Sequence, residues 1–183
     1  REDIAARKAQ GNANNDWVVT RDLVEAKGVK ASLEEITETF ETLYQGTPER
    51  EGLRETEKLT APRAFYESLR DRFTLGIVTG RPRSDAQFLL EKHGLSDLFD
   101  AVVCMEDAAL KPSPDPVLLA CKLLKTTRAW MFGDTPDDIR AARSAQVMPI
   151  GVVAPGENPE RAGATLGQVG AAKVIGSIID WEK

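Results

Sequence analysis

Residues 130–139 read Trp-Met-Phe-Gly-Asp-Thr-Pro-Asp-Asp-Ile, an apolar run that leads directly into Gly-Asp and then into an acidic pair. This run predicts a buried parallel strand, and the carboxyl ends of such strands border the crevice where open α/β sheets bind ligands. Carboxylates gathered there without a cationic neighbour favour a divalent cation, and Mg²⁺ prefers oxygen ligands that it shares with a phosphate. We therefore expect Asp134 to bind Mg²⁺. The alternative is an ordinary turn that caps a helix.

Two further motifs favour the ligand-binding interpretation. Residues 75–82 form a second apolar strand that ends in a hydroxyl followed by glycine, and residues 109–116 place a lysine in a proline-rich loop before a helix. In this arrangement Thr79 and the Gly80 amide would donate hydrogen bonds to phosphoryl oxygens, and Lys111 would neutralise their charge. Because phosphoryl transfer depends mainly on positioning and electrostatics, the three motifs together predict a site for a phosphoryl group.

The order and form of these motifs resemble the haloacid dehalogenase (HAD) superfamily of hydrolases, in particular its subfamily I. Thr79 matches the second motif of that family, Lys111 the third, and Asp134 with Asp138 the fourth. The resemblance covers residues 59–153. It implies an α/β fold with a Rossmann-like parallel sheet, helices on both faces and a small helical cap. It also implies catalysis by Thr79, Lys111 and Asp134, with Asp138 as a further metal residue.

The resemblance also divides the chain into two domains. Residues 1–58 correspond to the helical cap domain, and residues 59–183 to the α/β core. Within the cap we predict a helix capped by Asp16 and a second helix that opens with a capping box of Ser32 and Glu35. The polar segment from residue 47 to residue 58 is predicted to be a linker.

From residue 59 onward, apolar strands alternate with helices, which predicts a parallel sheet covered on both faces. The segment that contains Gly163, Gly167 and Gly170 has the wrong spacing for a dinucleotide-binding motif and is predicted to be a loop. The predicted strands cover residues 74–78, 101–104, 129–132, 149–153 and 173–175.

One motif of the family does not occur in residues 1–183. It is an apolar strand that ends in Asp-x-Asp, whose first aspartate is the nucleophile and whose second is the general acid/base. The resemblance places this strand in the middle of the sheet, between the strands that end at Thr79 and Asp134. Without it, interior backbone groups would lack partners, at a cost of roughly 1–3 kcal/mol each. We therefore expect this central strand to lie upstream of Arg1.

The composition limits the classes of partner. The net charge is −5 and the cationic residues are scattered, which argues against nucleic acid as a partner. No run of about 18 apolar residues predicts a membrane span. Cys104 and Cys121 lie in apolar runs, which favours buried free thiols and a cytoplasmic, reducing environment. His93 is the single histidine, so a multi-histidine zinc site is excluded.

Each candidate site residue also has a structural interpretation. Thr79 is compatible with a bond to its own turn, and Lys111 with a solvated loop position. Asp138 is compatible with helix capping, a role that does not prevent a carboxylate from orienting a metal ligand. Asp137 is predicted to face solvent.

The candidate substrate contacts are Arg81, which follows the phosphate turn, and the cap residues Asn15 and Trp17. For Arg81 and Arg83 the alternative is a surface ion pair. Asn15 and Trp17 belong to a polar-aromatic cluster, and for that cluster helix capping is the alternative role.

The resulting functional hypothesis is a Mg²⁺-dependent phosphatase that hydrolyses a small phosphorylated metabolite through an aspartyl-phosphate. A phosphomutase or a phosphonate hydrolase would use the same fold. A dehalogenase explains the acidic cluster less well, because cleavage of a carbon–halogen bond needs no metal. The remaining alternative is a non-catalytic binding protein that lacks the nucleophile.

Overall fold

A computed structural model describes residues 2–182. Within these residues the helices are α1 (Glu2–Ala9), α2 (Asp16–Ala26), α3 (Leu33–Gln45), α4 (Arg63–Arg70), α5 (Arg83–Lys92), α6 (Asp115–Leu123), α7 (Pro136–Ser144) and α8 (Pro159–Gln168). The strands are β1 (Gly46–Thr47), β2 (Arg50–Glu51), β3 (Gly76–Val78), β4 (Ala101–Val103), β5 (Trp130–Gly133), β6 (Met148–Val152) and β7 (Lys173–Ile175). None of the helices is long and apolar enough to cross a membrane.

The first part of the chain is helical. Of the two helix N-caps predicted there, one is confirmed and one is wrong. The predicted capping box of α3 is confirmed, because the Ser32 hydroxyl accepts from the Glu35 amide and the Glu35 carboxylate accepts from the Ser32 amide. The cap of α2 is Asn15, not Asp16. The Asn15 side chain accepts from the Val18 amide at 3.1 Å, and Val18 occupies the third helical position that a cap residue serves.

The segment from residue 47 to residue 58 contains more regular structure than a linker. Strands β1 and β2 form a short antiparallel ribbon in which Gly46 pairs with Glu51 and Thr47 with Arg50. A 3-10 helix over Leu53–Thr56 follows. The chain therefore passes from α3 to the α/β part through a compact ribbon and one helical turn.

The five remaining strands are parallel, as predicted, and they divide into two hydrogen-bonded parts. β3 pairs with β4, while β6 pairs with β5 on one side and β7 on the other. Within residues 2–182, no strand pairs with the second edge of β3 or of β5. These two edges are the positions between which the family resemblance implies a further strand.

Helices cover both faces of the β3 part. Ile77 packs against an apolar cluster formed by Leu90, Leu95 and Leu98. The next residue, Val78, packs against a second cluster around Val117 of α6, to which α7 also contributes. Because successive side chains of a strand point to opposite faces, the two clusters lie on opposite sides, which confirms a sheet with helices on both faces.

Aromatic side chains join the two parts of the sheet near the amino ends of the strands. Phe73 precedes β3, Trp130 begins β5, and Trp181 comes from the end of the chain. The three ring centroids lie 5.7–6.0 Å apart in pairs, and two of the pairs are tilted while one is edge-to-face. Such contacts add roughly 0.5–1.5 kcal/mol per pair to the burial of the rings.

The prediction of a loop around Gly163 and Gly167 is wrong, because both residues lie inside helix α8. Asn158 caps this helix by accepting from the Arg161 amide at 2.9 Å. Leu166 is 1% exposed and anchors the helix on the sheet. This burial and the cap outweigh the low helix propensity of two glycines.

Replacement of Gly163 or Gly167 by alanine should stabilise the protein by about 0.5–1 kcal/mol each, because alanine loses less backbone entropy on helix formation. A methyl group at either position would meet no atom within 4 Å. Urea unfolding of the single variants measures this gain. A matched control is Gly170→Ala, which should destabilise the protein because Gly170 has a φ of +96° and lies against Arg143. Equal effects at all three positions would contradict the helix assignment.

Candidate active site

The carboxyl ends of β3 and β5 are connected by Lys111. Its ammonium Nζ lies 2.5 Å from Asp138 Oδ1 and donates to the Val78 carbonyl oxygen at 3.4 Å. Both side chains of the ion pair are buried, with exposed fractions of 9% for Lys111 and 6% for Asp138. The peptide bond between Lys111 and Pro112 is cis. The second, third and fourth predicted motifs therefore meet at one place.

Asp138 belongs to the start of α7 as well as to this ion pair. Its Oδ2 accepts from the Thr135 amide at 3.0 Å and from the Thr135 hydroxyl at 2.7 Å, and Thr135 is the N-cap of α7. A β-carbon at Gly133 would lie 2.2 Å from the β-carbon of Asp138. Glycine at this position is what lets Asp138 approach the end of β5. The cap residue of α7 is therefore Thr135, and Asp138 completes its capping box from the third helical position.

Asp134 differs from Asp138 because no Lys or Arg of residues 2–182 forms an ion pair with its carboxylate. Water reaches the Asp134 side chain. Desolvation by the protein atoms around it, with the negative charge of Asp138 as the second cause, raises the pKa of the Asp134 carboxyl. A cation bound here would relieve both effects.

The side chains of residues 2–182 at this place supply one ligand for a metal ion and do not form a complete metal site. No group of three or more His, Cys, Asp or Glu residues able to hold a metal occurs in the described part of the chain. Asp138, one of the two predicted metal residues, already accepts hydrogen bonds at both carboxylate oxygens. The available ligand is Asp134. One or two carboxylates together with phosphate and water are the usual set for Mg²⁺.

Two hydrogen-bond donors lie at the end of β3. The Thr79 hydroxyl oxygen accepts from the Arg81 amide at 3.1 Å, so the predicted turn-forming role of Thr79 is present, and its O–H proton remains available. Among the described residues, the Gly80 amide donates to no protein acceptor. Lys111 has three N–H donors, of which Asp138 and Val78 engage two. The Thr79 hydroxyl, the Gly80 amide and the third N–H of Lys111 are thus three donors that an anion could accept from.

A segment of the cap crosses this site at Asn14. The Asn14 side-chain amide donates to Asp137 Oδ2 at 2.8 Å and to the Lys111 carbonyl oxygen at 3.0 Å. A β-carbon at Gly80 would lie 2.4 Å from the Asn14 carbonyl oxygen, so only glycine allows this approach. Asn14 therefore touches all three motif loops of the core.

The prediction that Asp137 faces solvent is wrong, because this residue is 1% exposed. Its Oδ2 accepts from the buried Ala13 amide at 3.0 Å in addition to Asn14, and its Oδ1 lies 3.4 Å from an Arg140 nitrogen. The carboxylate is buried because the cap segment brings two donors to it. Sequence spacing within residues 130–139 carries no information about this contact.

The three candidate substrate contacts all border a small cleft of about 110 Å³ between the helices of the cap and the end of β3. Arg81 donates to both carboxylate oxygens of Glu57, at 2.8 and 2.9 Å. Arg81 therefore forms an ion pair, which was the alternative to a substrate contact. Arg83 pairs with Asp107, outside the residues that line the cleft. Asn15 caps α2, and the Trp17 indole N–H donates to Glu41.

The sequence profile of the family described as haloacid dehalogenase-like hydrolase matches residues 18–152, more than half of the chain. The match includes the turn at Thr79, the loop of Lys111 and the acidic start of α7. The chain belongs to the haloacid dehalogenase-like hydrolases.

The chain is also similar to individual proteins. An imidazoleglycerol-phosphate dehydratase from Phytophthora nicotianae is 42% identical over 95% of this chain and 42% of the relative. A phosphoglycolate phosphatase from Rhodospirillum rubrum is 36% identical over 58% of this chain and 45% of the relative. The chain thus spans less than half the length of these relatives. A hydrolase from Pseudomonas syringae shares the fold, with a TM-score of 0.64, 20% identity and coverage of 95% and 78%.

Sequence reasoning about this HAD chain placed Asn14 in the polar-aromatic cluster but did not predict the contacts by which Asn14 and Asp137 connect cap and core. A signal for Asn14 was present in the unusual run of asparagines before Trp17. No comparable signal marks Asp137, because an acidic residue in the first turn of a helix is ordinary.

Asp137→Ala should destabilise the protein by about 1–3 kcal/mol, since it leaves the buried Ala13 amide without an acceptor. It should also release residues 10–15 for proteolysis. Asp137→Asn is the matched control, because its amide oxygen can still accept from Ala13 and Asn14, and this variant should stay near wild type. Urea unfolding and limited proteolysis measure the two effects. Equal cleavage of both variants and wild type would contradict the role given to Asp137.

Proposed function

We propose that the complete protein is a Mg²⁺-dependent phosphatase that hydrolyses the phosphate ester of a small metabolite. The observation that carries the proposal is the arrangement at the strand ends. The free donors of Thr79, Gly80 and Lys111 lie on the motif loops that the buried ion pair joins, and the carboxylate of Asp134, which has no ion-pair partner in residues 2–182, directly follows β5. A bound anion would accept hydrogen bonds from these donors, and a cation bound beside it would pair with the Asp134 carboxylate.

In this proposal the phosphoryl group binds to the end of β3. The Thr79 hydroxyl and the Gly80 amide donate to its oxygens, and the third N–H of Lys111 donates from the opposite side. Charge-assisted hydrogen bonds of this kind are about twice as strong as neutral ones. They would hold the phosphorus in line for attack, and such positioning supplies most of the catalysis in phosphoryl transfer.

The proposed metal ligand of this chain is Asp134. Mg²⁺ supplies neutralisation of the charge that develops on the phosphoryl oxygens. The proposed nucleophile is an aspartate on a strand that pairs with the free edges of β3 and β5. Its carboxylate attacks phosphorus, the bond from phosphorus to the ester oxygen breaks, and the alcohol leaves with a proton from the second aspartate. Water then cleaves the aspartyl-phosphate and releases inorganic phosphate.

The relatives support a small phosphorylated substrate. One is named for phosphoglycolate and the other for imidazoleglycerol phosphate, both phosphate esters of small molecules. The family is one of hydrolases. Release of free phosphate, in contrast to its transfer within one molecule, separates the proposed reaction from that of a mutase.

Asp134→Asn in the complete protein should nearly abolish phosphate release, by roughly 100-fold or more, because the proposed metal ligand is lost. The same substitution should raise the thermal unfolding temperature at neutral pH, since it removes a carboxylate whose pKa the fold raises. Assays of free phosphate and thermal unfolding measure the two effects. Unchanged turnover would exclude Asp134 from the reaction.

The stabilising effect of Asp134→Asn should depend on pH in a defined direction. A raised pKa in the folded state means that ionised Asp134 opposes folding above that pKa. The gain from asparagine should therefore be largest at neutral pH and shrink as the pH falls through the raised pKa. Added Mg²⁺ should stabilise wild type but not the variant. Glu91→Gln, which changes an exposed carboxylate of α5, is the control and should show neither effect.

A further inference from the structure

The cleft between cap and core lies beside the proposed phosphoryl site. Gly80 and Arg81 of the phosphate turn form part of its lining, so the alcohol portion of a bound phosphate ester would extend into it. The other lining residues are Asn15, Asp16, Trp17, Phe40, Glu41, Tyr44, Glu57, Pro82, Asp85 and Met105.

The charges that line this cleft are mostly negative. Four carboxylates face one guanidinium, that of Arg81, and Glu57 already binds it with both oxygens. Desolvation lowers the pKa of the Arg81 guanidinium, but the hydrogen bond with Glu57 outweighs this, so the net shift is upward. Asp16 at the rim lies 3.7 Å from Lys8 Nζ. Arg81 therefore has little capacity to bind a second anionic group of a substrate.

Glu41 and Asp85 are bonded mainly to neutral donors. The Trp17 indole N–H donates to Glu41 at 2.9 Å, and the Gln45 amide donates to Glu41 at 3.1 Å and to Asp85 at 2.7 Å. Asp85 is 5% exposed, and desolvation raises the pKa of its carboxyl. Arg54 donates to the side-chain amide oxygen of Gln45 and does not line the cleft.

Three aromatic rings form another part of the lining. Phe40 and Tyr44 are stacked with their centroids 5.9 Å apart and an interplanar angle of 26°, and Trp17 lines the cleft beside them. The faces of aromatic rings carry negative charge and attract ammonium groups. The carboxylates and the aromatic rings that line the cleft thus favour the same chemical group, an ammonium ion.

We propose that the substrate is the phosphate monoester of an amino alcohol, whose ammonium group binds between Glu41, Asp85 and these aromatic rings. This inference rests on the proposed phosphatase function. An ester whose alcohol portion carries a carboxylate, such as phosphoglycolate, would place like charge against Glu41 and Asp85. The cleft therefore selects by the sign of the charge on the alcohol portion.

Three esters of similar size test the proposal in the complete protein: phosphoethanolamine, ethyl phosphate and phosphoglycolate. We expect kcat/KM to be highest for phosphoethanolamine, which carries an ammonium group, lower for the neutral ethyl ester, and lowest for phosphoglycolate. Glu41→Gln should reduce the preference for phosphoethanolamine over ethyl phosphate about tenfold, the effect expected when a charge-assisted hydrogen bond becomes neutral. Glu38→Gln, on the exposed side of α3, is the matched control and should keep the preference. Faster hydrolysis of phosphoglycolate, or an unchanged preference in Glu41→Gln, would overturn the proposal.

Binding of the same three compounds, measured by calorimetry, separates this inference from the proposed function. If no ester is hydrolysed, the phosphatase proposal fails. The order of the three affinities then shows whether the cleft binds an ammonium group. Tighter binding of phosphoethanolamine, lost in Glu41→Gln, would support the cleft as an ammonium site. Equal or tighter binding of phosphoglycolate would refute it.

Discussion

The buried ion pair between Lys111 and Asp138 is the contact on which the candidate site depends. It connects the loop before α6 with the first turn of α7, and the additional bond to the Val78 carbonyl oxygen connects both with β3. The two parts of the parallel sheet share no backbone hydrogen bonds in the described residues. Side-chain contacts therefore fix their relation: this pair at the carboxyl ends, the aromatic cluster near the amino ends, and the apolar cluster around Val117, against which both Val78 of β3 and Met131 of β5 pack.

Burial of two charges is costly unless their remaining hydrogen-bonding capacity is satisfied. Asp138 meets this condition, because Thr135 donates twice to its second oxygen. Asp134, four residues earlier, is reached by water and has no ion-pair partner among residues 2–182, and the fold raises the pKa of its carboxyl. Two carboxylates of one short segment thus have different roles. One stabilises the arrangement of the loops, and the other is an unfavourable charge that a bound cation would offset.

Much of this could be predicted from the sequence. The ends of the strands at Thr79 and Asp134 and the capping box at Ser32 follow from local patterns of apolar, hydroxyl and acidic residues. The helix around Gly163 did not follow, because its stability comes from tertiary burial of Leu166. The contact of Asp137 with the cap could not be predicted either, since it joins residues more than 120 positions apart.

A double-mutant cycle on Lys111 and Asp138 tests the central claim most directly. The free energy of unfolding would be measured for Lys111→Met, Asp138→Asn and the double variant. Loss of one partner leaves a buried charge unpaired and should cost about 3–5 kcal/mol, and the second substitution should recover much of this cost. A coupling energy well above the ~1 kcal/mol of exposed pairs is therefore predicted. Additive effects, within about 0.5 kcal/mol, would show that the ion pair does not join the loops of the site.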